Sequence, residues 1–289
     1  MINKKILIIS IILFVILLII IFLNNILQNF TNISKIPYTL FKTGPFTYNN
    51  IPSEIKERID ITNKNLNCKS YYYDDQQCYD FIKNNYSNKI LKAYDSLIPN
   101  AFKADLWRFL ILYKFGGIYG DLSQKVLIPY DINKGYCDML LVKDLILCGK
   151  PDTIAIAFMA TRPNNNFFKY VIDNLTTDIL NKRRGVCPLD VTGPVRIGTL
   201  YKKYYNLDKI STGVQILTGL DNKKYKINFF AEMKTDNVIK TDNLIETHGN
   251  IYLLNRKKFI DMKSKNHEKL VYSLNTRYHK LYEDNKIFK

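Results

Sequence analysis

Between Ala101 and Phe115 the apolar residues Ala104, Leu106, Leu110, Ile111, Leu112 and Phe115 recur at helical spacing, with the charges Asp105 and Arg108 set among them. Three positions apart, those charges share one helix face. Gly116 and Gly117 stop the helix, Ile118 and Tyr119 open an extended segment, and the segment runs out at Gly120, Asp121, Leu122 and Ser123. The pattern predicts a helix, a glycine turn and a strand, with a carboxylate at the strand end and Gly120 beside it to let backbone and ligand approach.

The same pattern extends along the chain. Residues 36–41 make a first short strand before the Thr43-Gly-Pro turn, a helix follows over 52–61, Tyr71 to Tyr73 form a second strand, and 78–84 and 89–96 are helical. Beyond the central stretch, 139–142, 145–148 and 154–160 are strand candidates and 166–181 is an amphipathic helix. The block from Pro188 to Gly198 is loop-like, with Thr192-Gly193-Pro194 as a rigid turn that either lines a pocket or joins two elements. A helix from Gly198 to about Tyr205, strands near 214–218, 225–230 and 251–254, and a helix over 269–278 complete the pattern. Strands and helices alternating without a repeat argue for an open α/β domain, whose ligands bind at the carboxyl ends of strands.

One stretch departs from that pattern. Residues 6–23 are apolar except for Ser10, long enough for a membrane-spanning helix, with Lys4 and Lys5 before them. This divides the chain into a cytosolic tail 1–5, a signal anchor 6–23, a stem 24–35 and a folded domain 36–289. The charge bias gives a single-pass type II orientation with the domain in the lumen of the Golgi or endoplasmic reticulum. The competing interpretation is a cleaved signal peptide, which the length of the run and the lack of a small-residue cleavage site disfavour.

A lumenal position gives meaning to the triplets at Asn29, Asn32, Asn85 and Asn174, which fit glycan acceptors. It also permits disulfides among Cys68, Cys78, Cys137, Cys148 and Cys187. Sequence proximity suggests Cys68 with Cys78 and Cys137 with Cys148, buried free thiols being the equal alternative. No Cys/His cluster has zinc spacing.

Composition changes the picture little. Of 289 residues, 42 are Lys or Arg and 26 Asp or Glu, a formal net charge of +16, yet the excess is scattered lysine without a dense basic run. Nucleic acid is therefore disfavoured as a partner, and an anionic membrane surface or a nucleoside diphosphate suits the charge better.

The run Ala101, Lys103, Ala104-Asp105, Arg108, Leu112, Gly116-Gly117-Ile118-Tyr119, Asp121-x-Ser123 resembles the central motif of the DXD-type glycosyltransferases that include initiating mannosyltransferases, glycolipid galactosyltransferases and large clostridial toxins. Ile36-Pro37 with Phe41-Lys42-Thr43 resembles the family's opening strand, and Thr192-Gly-Pro a later turn. The resemblance implies a GT-A type fold: a Rossmann-like open mixed sheet with helices on both faces, here preceded by one transmembrane helix. It further implies a retaining hexosyl- or N-acetylhexosaminyltransferase that moves sugar from a UDP-sugar or GDP-mannose to a glycan, glycoprotein or glycolipid in α-linkage. Asp105, Arg108, Tyr119, Asp121 and Ser123 would bind the donor. Asp121 would hold Mn2+ or Mg2+, with His279 as second ligand, Tyr282 as an accompanying aromatic and His248 as the other histidine option. No catalytic base is assigned.

Two positions depart from the pattern. Ala104 stands where serine is common, and Ser123 replaces the second aspartate, a neutral hydroxyl being a weaker ligand for a hard cation. That replacement sustains a second interpretation, a pseudoenzyme that binds sugar or nucleotide as a lumenal partner. Taken singly, Asp105 and Arg108 are an ordinary helix ion pair and Gly116-Gly117 a helix stop. Their joint spacing favours the donor site.

Overall fold

Alternation along the strands decides the architecture. Leu40 and Phe41, Ile118 and Tyr119, Leu140 and Leu141, and Phe230 and Phe229 point in turn to two separate apolar cores, one on each face of a single sheet. This computed structural model describes residues 13–19, 35–122, 124–126, 128–231 and 278–289. Most of the predicted span 6–23, the stem up to residue 34, Ser123, His248 and the elements expected at 251–254 and 269–277 lie outside the described residues.

Residues 1–35 and 36–289 are separate units. In the first, residues 13–19 are helical with exposed side chains, and among the described residues no helix is long and apolar enough to cross a membrane.

The second unit contains strands β1 (Thr39–Thr43), β2 (Lys69–Tyr73), β3 (Gly117–Gly120), β4 (Met139–Lys143), β5 (Ile154–Thr161), β6 (Gly213–Thr218) and β7 (Lys224–Ala231). They form one mixed sheet in the order β2-β1-β3-β5-β4-β7-β6. The β1 strand pairs in parallel with β2 and β3, and β4 in parallel with β7, while β3 and β4 both run antiparallel to β5. The carboxyl ends of β1, β2, β3, β4 and β7 therefore share one edge of the sheet.

Helices α1 (Ser53–Leu66), α2 (Asp75–Asn85), α3 (Asn88–Ser96), α4 (Asn100–Phe115), α5 (Asn166–Leu180), α6 (Pro194–Tyr205) and α7 (Tyr278–Glu283) complete the layers. One core joins α2 to α6 to the sheet through Trp107, Phe109, Phe167 and Tyr201, and the opposite core uses Leu66 at the end of α1 with Val126 and Ile132. Asp74 caps α2 through a capping box with Gln77. At the start of β3 a side chain on Gly117 would come 2.6 Å from the Thr39 carbonyl oxygen, at φ 95°, so the close approach of β1 requires glycine there.

Three expectations need correction. Residues 145–148 are a tight turn, not a strand: Leu147 and Lys150 exchange backbone hydrogen bonds across Cys148 and Gly149, both at positive φ. The helix expected from Gly198 starts at Pro194, the proline occupying the first helical position after Gly193, so Gly198 lies inside it rather than ahead of it. There, a Cβ would fall 2.0 Å from the Asp152 carbonyl oxygen.

The disulfide joins Cys148 to Cys187, not either sequence-local pair, and leaves Cys68, Cys78 and Cys137 free. Cys78 is buried in α2 and shares a contact with the Thr43 hydroxyl, while Cys68 touches the Asn63 amide oxygen, so each is occupied by its own neighbours. Folding instead joins the β4–β5 turn to the segment before α6.

Candidate functional site

Helix α4 is buried nearly all round, with Leu106, Trp107, Phe109, Leu110, Ile111 and Leu112 fully enclosed. Two charges inside such a helix persist only if paired. Arg108 Nη2 lies 3.0 Å from Asp105 Oδ1, and Arg108 Nη1 lies 3.3 Å from Asp121 Oδ1 and donates to the Ile156 carbonyl oxygen at 2.8 Å. Its guanidinium also sits over the Tyr119 ring, 4.4 Å from the centroid. Tyr119 in turn donates its hydroxyl to Asp121 Oδ1 at 2.9 Å.

Asp105, Arg108, Tyr119 and Asp121 therefore form one cluster. The first turns of α4 lie beside the carboxyl end of β3, where open sheets bind ligands. Thr192 extends the cluster, donating its hydroxyl to Asp105 Oδ2 at 2.8 Å, so the Thr-Gly-Pro turn does line this site.

Electrostatics follow the burial. Loss of water raises the Asp105 carboxyl to about 6, against the opposing pull of Arg108 and the Thr192 hydroxyl. Burial also works against the Arg108 charge, but Tyr119, Asp121 and Asp105 more than offset it and hold the guanidinium cationic. Tyr119 is pushed well above the ordinary phenol range, chiefly by burial, and stays a donor.

The Asp121 side chain keeps 34% of its surface exposed. Its Oδ1 accepts from Tyr119 and Arg108, and among the described residues its Oδ2 makes no hydrogen bond. Asp121 would thus offer one carboxylate oxygen to a hard cation such as Mn2+ or Mg2+. Among the described residues no group of three or more His, Cys, Asp or Glu could hold a metal ion.

His279 is exposed on α7, its ring 4.1 Å from that of Tyr278, which packs on Phe102 in the first turn of α4. It therefore stands on an element docked at the same end of the sheet, though no contact joins it to Asp121 among the described residues. Tyr282 turns elsewhere: it lies under Arg184, 4.5 Å from ring to guanidinium, and donates its hydroxyl to the Gly185 carbonyl oxygen at 3.2 Å.

Residues 54–137 match the family described as glycosyltransferase sugar-binding region containing DXD motif, a segment from α1 through α4 and β3 to the approach to β4. The chain is 29% identical over 133 residues to an uncharacterized glycosyltransferase of Acanthamoeba polyphaga mimivirus, covering 44% of this chain and 51% of that protein. It is 37% identical over 82 residues to the initiation-specific alpha-1,6-mannosyltransferase of Candida albicans, covering 28% of this chain and 21% of that one. It thus spans about half of one curated relative and about a fifth of the other. Among solved structures the PaToxG glycosyltransferase aligns with a TM-score of 0.43 at 12% identity, over 59% of this chain and 69% of that one. That similarity is too weak to decide the fold.

One residue of the cluster's surroundings, Lys42, was given no role at the site by the sequence. Lys42 on β1 is 1% exposed and donates to the backbone oxygens of Asp121 at 2.9 Å and Gly120 at 3.4 Å. A single lysine inside the apolar run Thr39–Thr43 was the available signal. Gly120 is buried beside it, and a Cβ there would lie 3.4 Å from Gln124 Oε1 and 3.5 Å from both Leu40 and the Lys42 ammonium.

Proposed function

We propose that this chain is a retaining glycosyltransferase, anchored by residues 6–23 as a type II membrane protein with a lumenal domain of the GT-A type. It transfers a hexose or N-acetylhexosamine from a nucleotide sugar to a hydroxyl of a glycan, glycoprotein or glycolipid, forming an α-linkage. The observation that carries the reading is the Arg108 guanidinium, which holds both Asp105 and Asp121 against the face of Tyr119 at the carboxyl edge of the sheet. A fixed guanidinium flanked by carboxylates suits the hydroxyls of a sugar, each of which both donates and accepts.

The geometry supports the following roles. Asp105, oriented by Thr192, and Arg108 grip donor sugar hydroxyls; Tyr119 supports the guanidinium from below and fixes one oxygen of Asp121. The other oxygen of Asp121 is left for the donor or for a divalent cation, with Ser123 next in the chain and His279 as the second ligand. When bound, Mn2+ or Mg2+ would supply positive charge to the departing nucleoside diphosphate. No side chain among the described residues is assigned as nucleophile or base.

Purified full chain should hydrolyse or transfer from at least one UDP-sugar or GDP-mannose, and Asp121→Asn should lower that turnover by at least about 100-fold, the scale of losing one electrostatic contact to the transition state. Turnover by Asp121→Asn at the original rate would remove the cluster from the chemistry. Ser123 favours one other reading, a pseudoenzyme that binds the nucleotide without turnover. Saturable UDP or GDP binding by a protein inactive toward every common donor, with and without Mn2+, would establish that second reading.

A further inference from the structure

Behind Asp121 lies a cation that the motif does not contain. The Lys42 side chain is fully enclosed, yet among the described residues no carboxylate comes within ion-pair distance of its ammonium. Its partners are two backbone oxygens, Gly120 O and Asp121 O. A buried ammonium without a paired carboxylate is rare, because the charge has lost its water and recovered only carbonyl dipoles.

What it holds is the segment that presents the Asp121 carboxylate. Asp121 is fixed on three sides: its N–H donates to Ala157 O at 2.9 Å, its carbonyl accepts from Lys42, and the same carbonyl accepts from the Gln124 N–H at 2.9 Å.

The charges around Asp121 also balance without a cation. Asp105 and Asp121 bring two negative charges when ionised, Arg108 and Lys42 two positive ones. In a site built on two aspartates at 121 and 123, a divalent cation would meet a net negative charge. Here Ser123 removes one carboxylate and Lys42 adds a positive charge behind the remaining one.

We propose that Lys42 is a positioning residue of the donor site, its buried ammonium fixing the Gly120–Asp121 backbone and its charge weakening the hold of Asp121 on a divalent cation. The proposal rests on the donor-site reading above only for the name of the site. Lys42 touches neither donor nor cation, since its ammonium is enclosed beneath the backbone.

The test is direct Mn2+ binding to the full chain in detergent, followed by the loss of the free Mn2+ electron paramagnetic resonance signal, with no donor present. Lys42→Gln retains hydrogen-bond donors for the two carbonyls and removes the charge. It should bind Mn2+ about tenfold more tightly than the native chain, as loss of one like charge several ångströms away requires. Lys42→Met should show the same gain with a lower Tm, and Lys42→Gln combined with Asp121→Asn should lose the gain. Equal affinity in the native and Lys42→Gln proteins, no binding by either, or a gain that survives Asp121→Asn would each overturn the proposal, whereas a purely structural lysine would move Tm alone. Absence of turnover in a protein that shows the predicted tightening would count against the glycosyltransferase reading and leave the role of Lys42 standing.

Discussion

Asp105 is a carboxylate held out of water between a guanidinium and a threonine hydroxyl, and its protonation has a readable consequence. With its pKa raised to about 6, it loses the charge that pairs with Arg108 as the pH falls through 6. The donor KM should therefore rise below pH 6, and Asp105→Asn should abolish that limb while raising KM at pH 7. Stability moves the other way: because the folded pKa is raised, this group's contribution is fully present below about pH 4 and lost as pH rises through about 6. Thr192→Val would leave Asp105 Oδ2 without its donor and should lower stability by about 1–2 kcal/mol with a weaker grip on donor, measured by urea unfolding and donor KM. Ser123→Asp should lower the Mn2+ concentration that gives half-maximal turnover; an unchanged or higher requirement would count against Asp121 as the cation ligand. Spacing placed Asp105 and Arg108 on one helix face and Asp121 at a strand end, and the resemblance to a family motif joined Tyr119 to them; the cluster was legible because the helix and the following strand bring these residues together locally. Lys42 escaped because its contact reaches from β1 across to the end of β3, a pairing that hydrophobic pattern does not specify.

At the scale of elements, turns and crossings explain both the successes and the corrections. Long periodic segments such as α4, α5 and β5 were legible because each has a continuous face to bury. The apolar residues near Leu145 looked like a strand but belong to a turn that leaves Ile146 exposed, since backbone at positive φ in Cys148 and Gly149 reverses the chain there. The start of α6 was displaced because a Gly-Pro pair serves equally as a turn and as a helix entry. The disulfide could not be chosen from five cysteines, its partners being separated by 39 residues and joined only by the approach of two loops. Cys187→Ser should cost about 2–4 kcal/mol, the usual effect of opening a loop of this length, and thermal unfolding would measure it. Gly198→Ala should be comparably damaging, since its methyl group would meet the Asp152 carbonyl between α6 and the start of β5.

For the whole molecule, the separate contact units 1–35 and 36–289 imply that the sheet domain stands without the N-terminal segment. Removal of residues 1–35 should leave Tm within a few degrees of the full chain and, on the proposed anchor, release the protein from membranes; loss of folding in the truncated chain would show that the N-terminal segment is structurally required. The sheet also sets an order of events. Leu141 in β4 pairs with Phe229 in β7, far along the chain, while β4's other neighbour, β5, follows it closely. A nascent chain can thus form the β4–β5 pair early, but β4 keeps a bare edge until residue 231 has been made, and in that interval the half-finished sheet offers unpaired backbone to any other chain nearby. Refolding should accordingly be slow and dependent on protein concentration, with yield falling as concentration rises, because distant pairing has to compete with association before the last strands arrive.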